Sequence, residues 1–286
     1  MLNLWQQMAA SLLCLAGQAS GPEAAPPPRS WAAYYDSALP AERFKHLDLV
    51  VFDRRHHPDF MALKGKTTVL AYVSIGEVYD DVPEKTELTE EGALLAQHAH
   101  WKSHVVDAAS PQWRHWVLGY VEDAVAQGFD GVMLDTADSP IAWAQAHAPE
   151  RTEAMRAGIA ELVQAIRAAN PGLKIMINRG FGILPLVTQD IDYVLAESIY
   201  TNTDVSSGQF TLFPPSTYDQ VAKQLHDVNT LAPGLRIFTL DYWKMDDVSG
   251  LETIYAAQRA QGFTPYVATP DLRRFAPEPV PGHCAS

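Results

Sequence analysis

Two acidic residues, Asp135 and Glu197, each follow directly on a short apolar run, residues 131–134 and 193–196. A carboxyl pair on rigid elements can act together on one bond. One acid protonates a leaving oxygen while the other carboxylate attacks carbon or activates water. The two are not alone. Asp36, Asp53, Glu77, Asn178 and Asp241 also follow apolar runs, and Asp107 and Asp138 lie close behind others. A single acid in such a place is ordinarily a helix cap or a turn residue. Six acids and an amide in the same place, run after run, point to a shared ring. Burial and like charge would raise some of their pKa values. Aromatic residues accompany them: Tyr35, Tyr72, Tyr200 and Tyr242, with Tyr34, Tyr79 and Trp243. Flat rings give apolar contact to sugar faces, and a phenol is left free to hydrogen-bond a hydroxyl.

Such a ring needs strands that all end on one side. Eight runs are nearly continuous in apolar residues, as strands covered on both faces should be: 31–35, 47–52, 68–74, 131–134, 174–178, 193–196, 236–240 and 265–268. Between them lie helical patterns. Pro111 can open a helix over 112–127 that Gly128 stops; others run over 150–169, 217–231 and 251–261, ended by Asn170-Pro171-Gly172, Pro233-Gly234 and Gly262. Strand and helix alternating to a count of eight predict an α/β fold, a (β/α)8 TIM barrel in a single domain, with its site at the carboxyl ends of the strands. Residues 76–107 form a longer connection, read as a loop with a helix near 89–98. An open doubly wound sheet is the alternative, weakened because no Gly-rich phosphate turn follows the first strand.

The chain has 286 residues, 34 Asp and Glu against 21 Lys and Arg, and a formal net charge of −13. A nucleic-acid partner would be repelled, whereas a cationic or neutral ligand suits the acidity. Residues 1–20 read as an export signal, with an apolar run over 8–16 too short to span a bilayer and small residues at Gly17-Gln18-Ala19. Residues 21–30 are a Pro/Ala-rich linker, 31–275 the barrel, and 276–286 a tail. The expectation is a secreted or periplasmic monomer with no membrane partner. Cys14 and Cys284 are the only cysteines and make no disulfide scaffold. No cofactor and no metal are expected: His56-His57 lack a third ligand at a useful spacing. Lys174 begins its strand, at the wrong barrel end for Schiff-base work, and an acidic setting would hold the Lys244 pKa up. No Gly-x-Ser-x-Gly or Walker element occurs.

Three segments carry a family resemblance. Ala71-Tyr72-Val73-Ser74-Ile75-Gly76-Glu77, the stretch from Gly128 to Ser139 containing Phe129-Asp130-Gly131 and Asp135, and Leu195-Ala196-Glu197-Ser198 resemble the endo-α-1,4-polygalactosaminidase family, glycoside hydrolase family 114. They also resemble the related PelA hydrolase domain. The resemblance runs over about residues 31–269. It implies a barrel that cuts α-1,4-linked galactosamine or N-acetylgalactosamine polymers internally, as in processing a biofilm matrix. It makes Asp135 the nucleophile and Glu197 the acid/base, with Tyr72, Glu77 and Asp138 contacting substrate. PelA-like proteins carry further domains, and the expectation here is a free-standing hydrolase. A partly deacetylated galactosamine polymer is cationic, which an acidic cleft would attract. The residues alone leave open a glycosidase on another amino-sugar polymer, a non-catalytic carbohydrate-binding barrel, or a role shared with Glu77 or Asp138.

Overall fold

The computed structural model describes residues 28–98, 101–204 and 207–279. The segment expected to be an export signal, most of the expected linker and both cysteines lie outside them. The described chain begins with β1 (Trp31–Tyr34), β2 (Leu49–Asp53) and β3 (Thr68–Ser74), then makes an excursion through β4 (Glu77–Tyr79), α1 (Glu84–Glu90), β5 (Leu94–His98) and β6 (Ser103–Val106). It continues through α2 (Pro111–Gln127), β7 (Gly131–Asp135), α3 (Ser139–His147), α4 (Thr152–Ala169), β8 (Lys174–Asn178), α5 (Leu184–Val187) and β9 (Tyr193–Glu197). A hairpin of β10 (Thr201–Asp204) and β11 (Gln209–Leu212) precedes α6 (Pro215–Leu231), β12 (Arg236–Tyr242), α7 (Val248–Ala260) and β13 (Thr264–Ala268).

Eight of these strands form one parallel sheet in the order β1-β2-β3-β7-β8-β9-β12-β13. The sheet curls into a nearly closed barrel, the expected fold, and two bonds span the seam. The Trp31 indole donates to the Thr264 carbonyl at 3.0 Å, and the Tyr35 amide to the Leu272 carbonyl at 2.8 Å. The helices begin and end where the sequence punctuates. Ser110 Oγ accepts from the Trp113 amide ahead of Pro111, and Gly128 closes α2 in the left-handed region at φ 94°. The expected helix near 89–98 is corrected. Gly92 at φ 69° ends α1, and residues 94–98 become strand β5, antiparallel to β6. With β4 they form a small three-stranded sheet beyond the carboxyl ends of β3 and β7.

Pleat and register decide what the barrel encloses. Trp31, Tyr193, Phe238 and Tyr266 meet edge to face on the inner face, with centroids 5.6 Å apart for Trp31–Phe238 and 5.3 Å for Tyr193–Phe238. Met133, Met176 and Tyr193 stand in register across β7, β8 and β9. Two residues on from Met133 and Met176 come the inward Asp135 and Asn178, and four on from Tyr193 comes Glu197. At the amino ends of the strands a repeated device fixes the register. Asp48, Asp130 and Asp192 each stand just before a strand and bind an amide of the neighbouring one: Ser30, Val69 at 2.9 Å and Ile175 at 3.0 Å. Lys64 pairs with Asp130 at 2.6 Å, and Arg167 with Asp192 at 2.7 Å.

Gly131 sits where β7 passes closest to its neighbours. A Cβ there would lie 2.1 Å from the Lys174 carbonyl oxygen and 2.7 Å from Leu70 Cδ2. Gly131→Ala is therefore expected to destabilise the barrel by roughly 1–3 kcal/mol through overpacking against backbone. Thermal unfolding should show it as a Tm lower by about 2–4 °C per kcal/mol.

Candidate functional site

Asn178 stands between the two carboxyls in sheet order, on the strand that separates β7 from β9. Its Nδ2 donates to Asp135 Oδ1 at 2.8 Å and to Glu197 Oε2 at 2.6 Å. The other Glu197 oxygen accepts from the Tyr242 hydroxyl at 2.6 Å. Tyr35, Tyr72 and Tyr79 form a wall beside the Asp135 strand. The Tyr35 and Tyr72 rings are 5.1 Å apart, and the Tyr72 and Tyr79 hydroxyls share a 2.9 Å hydrogen bond. Three strands turn sharply past their last inward residue: Thr136, Arg179 and Ser198 adopt φ of 63°, 54° and 51°. None is glycine, and such backbone costs about 1–3 kcal/mol each and collects at functional sites. The ladder persists through the turns, since the Arg179 amide still reaches the Leu195 carbonyl and the Ser198 amide the Leu240 carbonyl, both at 2.8 Å.

Burial sets the protonation of the pair. It pushes the Asp135 carboxyl up from the ordinary carboxylate range, opposed by donors from Asn178, the Thr136 backbone and Tyr72. Burial also raises Glu197, and the charge of Asp135 raises it further, against the Tyr242 and Asn178 donors. The two carboxyls therefore share their protons as a pair, one ionised carboxylate favouring the protonated form of the other. Burial and the same two acids raise Tyr35, while burial pushes Tyr79 to about 12, so these phenols remain donors at neutral pH.

The other expected residues divide. Asp53 lies in register with Tyr72 on the inner face, and its Oδ1 accepts the Arg55 and His56 amides at 2.7 and 3.0 Å. Asp36 binds the amides of Ser37 and Ala38 in a turn. Asp138, ahead of α3, is 3.6 Å from Arg179 Nε and accepts the Gly180 amide. Glu77 is 6% exposed, and its oxygens take Ser103 Oγ at 2.5 Å and Ser139 Oγ at 2.6 Å, with His98 Nδ1 at 3.4 Å. It ties the small sheet to α3. Asp241 and Tyr200 are not brought to the mouth. Asp241 is 1% exposed and points outward, where it accepts from Tyr200, Thr201 and Gln258. The reason is the pleat: Leu240 pairs with the inward Glu197, so Tyr242 faces in and Asp241 out. Tyr200 meets Tyr218 of α6 edge to face, centroids 4.8 Å apart. Asp107 pairs with Arg151 instead of the rim, and His57 bonds Gln127 and the Pro58 carbonyl. Reading the sequence missed Thr136, whose Oγ1 receives the Gly76 amide at 2.9 Å and bonds Ser74. It also missed Arg179, which donates to the Glu197 carbonyl at 2.8 Å. Their place directly after an inward acid or amide was the available signal.

A parallel barrel with a bridged carboxyl pair at the carboxyl ends of its strands is the architecture of a glycoside hydrolase. The chain belongs to glycoside-hydrolase family GH114, whose family model matches residues 15–283. The glycoside hydrolase domain of PelA from Pseudomonas aeruginosa is 30% identical, with a TM-score of 0.78 covering 88% of this chain and 99% of that one. Aspergillus fumigatus Ega3, solved in complex with galactosamine, shares the fold at a TM-score of 0.58 and 16% identity, over 86% of this chain and 94% of its own. An uncharacterized protein of Thermotoga maritima is 26% identical over 170 residues, 56% of this chain. The chain spans about half the length of that curated relative, 51%.

Removing the Tyr242 hydroxyl takes away a donor that favours ionised Glu197. Tyr242→Phe should raise the Glu197 pKa and move the alkaline limb of a kcat/KM profile to higher pH. An unmoved or lowered limb in steady-state kinetics across pH would remove Glu197 from the acid role.

Proposed function

We propose that this chain is an exported, monomeric, endo-acting glycosidase that cleaves α-1,4-linked galactosamine and N-acetylgalactosamine polymers with retention of configuration. The observation that carries the mechanism is the single amide nitrogen bonded to both carboxyls. The bridged oxygens cannot be more than about 5.4 Å apart, the sum of the 2.8 and 2.6 Å bonds, which suits the ~5–5.5 Å of retaining enzymes and not the ~6.5–9.5 Å of inverting ones. Asp135, as the carboxylate, attacks the anomeric carbon while Glu197 gives its proton to the departing glycosidic oxygen. The glycosyl ester on Asp135 is then displaced by water, whose proton returns to Glu197. Asn178 and Tyr242 hold the carboxyls in place through both steps, and Tyr35, Tyr72, Asp53 and Asp138 offer contacts to the sugar.

The substrate class rests on charge and likeness. A net charge of −13 and a mouth lined by carboxyls suit a polymer carrying free amines. The galactosamine bound in Ega3 and the similarity to the PelA domain support the same class. Export rests on residues 1–20, and no helix among the described residues is long and apolar enough to cross a membrane. A different amino-sugar polymer is the second reading, because epimers differ at one hydroxyl that only pocket contacts distinguish.

Asp135→Asn and Glu197→Gln should each lower kcat on galactosamine oligomers by about 10²–10⁴-fold. Mass spectrometry of the products would report the cut, and NMR of the first-formed end its anomer. An α end first supports retention; a β end first, or undiminished cleavage by both variants, overturns the mechanism. Cleavage only of glucosamine polymers would instead favour the second reading.

A further inference from the structure

On the β2–β3 side of the mouth a cleft runs between the tyrosine wall and α2. It holds about 370 Å³ of empty space, partly open to solvent. Tyr72, Tyr79 and Asp53 line it toward the mouth, and the charge of Asp135 reaches both phenols. Mouth and cleft therefore meet at shared side chains. Away from the mouth the lining is Arg54, which follows Asp53 at the end of β2, with Tyr120 and Trp113 of α2. The Arg54 guanidinium lies 4.0 Å from the centroid of the Tyr120 ring, a cation–π contact that fixes its place. Among the described residues no hydrogen bond or ion pair takes up its N–H groups, and the residue is half-buried. A full set of guanidinium donors thus stands unspent beside the catalytic pair. The cleft also has an apolar part, formed by Val78 of β4 and Val82 after it.

We propose that this cleft takes the acetamido group of an N-acetylated sugar unit bound at the mouth, with the acetyl oxygen accepting from Arg54 and the methyl group lying against Val78 and Val82. The proposal rests on the amino-sugar polymer reading above and adds an acetylation preference to it. Charge selects the occupant. A free ammonium would meet Arg54 and also Arg55, which lines the cleft and pairs with Asp81 at 3.5 Å. An anionic substituent would meet Asp53 and Glu77, which line it as well. A neutral group with an acceptor oxygen and a methyl avoids both repulsions, and it uses both the free donors and the apolar part. Stacking on Tyr120 holds the guanidinium before binding, so little side-chain freedom is lost when the carbonyl arrives.

Two sets of galactosamine oligomers, one fully N-acetylated and one fully de-N-acetylated, separate this from a structural role. For Arg54→Gln, kcat/KM on the acetylated set should fall about tenfold relative to that on the other, equivalent to about 1.4 kcal/mol. Arg54→Lys, which keeps the charge without the planar fork, should recover part of the loss. An equal fall on both sets would mean that Arg54 only holds the loop after β2 against α2, and overturns the acetamido site; so does no fall on either, or a fall confined to the de-N-acetylated set. Should the chain cut glucosamine oligomers instead, the same comparison on those decides the cleft, and only the identity of the sugar changes. Calorimetric binding to the Glu197→Gln chain covers the case of no cleavage, in which only the proposed activity fails. There, acetylated oligomers of one or the other sugar should bind, and adding Arg54→Gln should weaken them about tenfold without weakening the de-N-acetylated ones. Binding with no such selective loss, or no binding of any acetylated oligomer, overturns the site. A sulfated oligomer that binds more tightly than the acetylated one, and loses that advantage with Arg54→Gln, would assign the cleft to an anion instead.

Discussion

One amide nitrogen holds the site together. Asn178 Nδ2 has two hydrogens and spends both on carboxylates, one on β7 and one on β9. The amide cannot turn over, because that would set its oxygen against two acids. Its Oδ1 is accordingly buried without a partner, at a cost of about 1–3 kcal/mol. That cost measures how firmly the arrangement is imposed by the barrel. The strand between the two acid-bearing strands must carry an amide at this height: a carboxylate would add repulsion, and an apolar residue would leave both acids short of a donor. The bridge also fixes the separation of the acids through a rigid sheet rather than through loops.

The bridge depends in turn on pleat and close approach. Inward positions recur every second residue, so a slip of one would exchange Glu197 for Ala196 and Tyr242 for Asp241. The aspartates at the opposite barrel end oppose such slips by tying each strand to an amide of its neighbour. Gly76 works at the mouth itself. A Cβ on it would lie 2.0 Å from the Thr136 carbonyl oxygen, so only glycine lets the start of β4 meet the turn after Asp135.

These facts explain what was legible in the sequence. The eight apolar runs mark barrel strands because strands buried on both faces have no polar alternation to confuse them. The same lack of alternation hides the face. Asp241 and Glu197 both end apolar runs, and only register shows that one faces the helices and the other the mouth. Glu77 could not be separated from the ring either, because its partners Ser103 and Ser139 lie 26 and 62 residues away. Residues 94–98 read as helix because the hydrogen bonds that make them a strand come from β6. The stretch from Phe129 to Asp135 carries two meanings: Asp130 fixes register at one end of β7, and Asp135 is the proposed nucleophile at the other.

The two barrel ends answer pH in opposite senses. Asp135 and Glu197 have raised pKa values, so the fold binds more protons there than the open chain, and ionising them costs stability as pH climbs above the carboxylate range. Burial would raise Asp192 too, but Lys174, the Ile175 amide and Arg167 outweigh it and hold it low. Its contribution is present at neutral pH and is lost only as pH falls through that lowered value. A barrel can thus keep strained, proton-hungry acids at its mouth because ion-paired aspartates secure its floor. Each end meets a different requirement, and the strands between them are what relate the two.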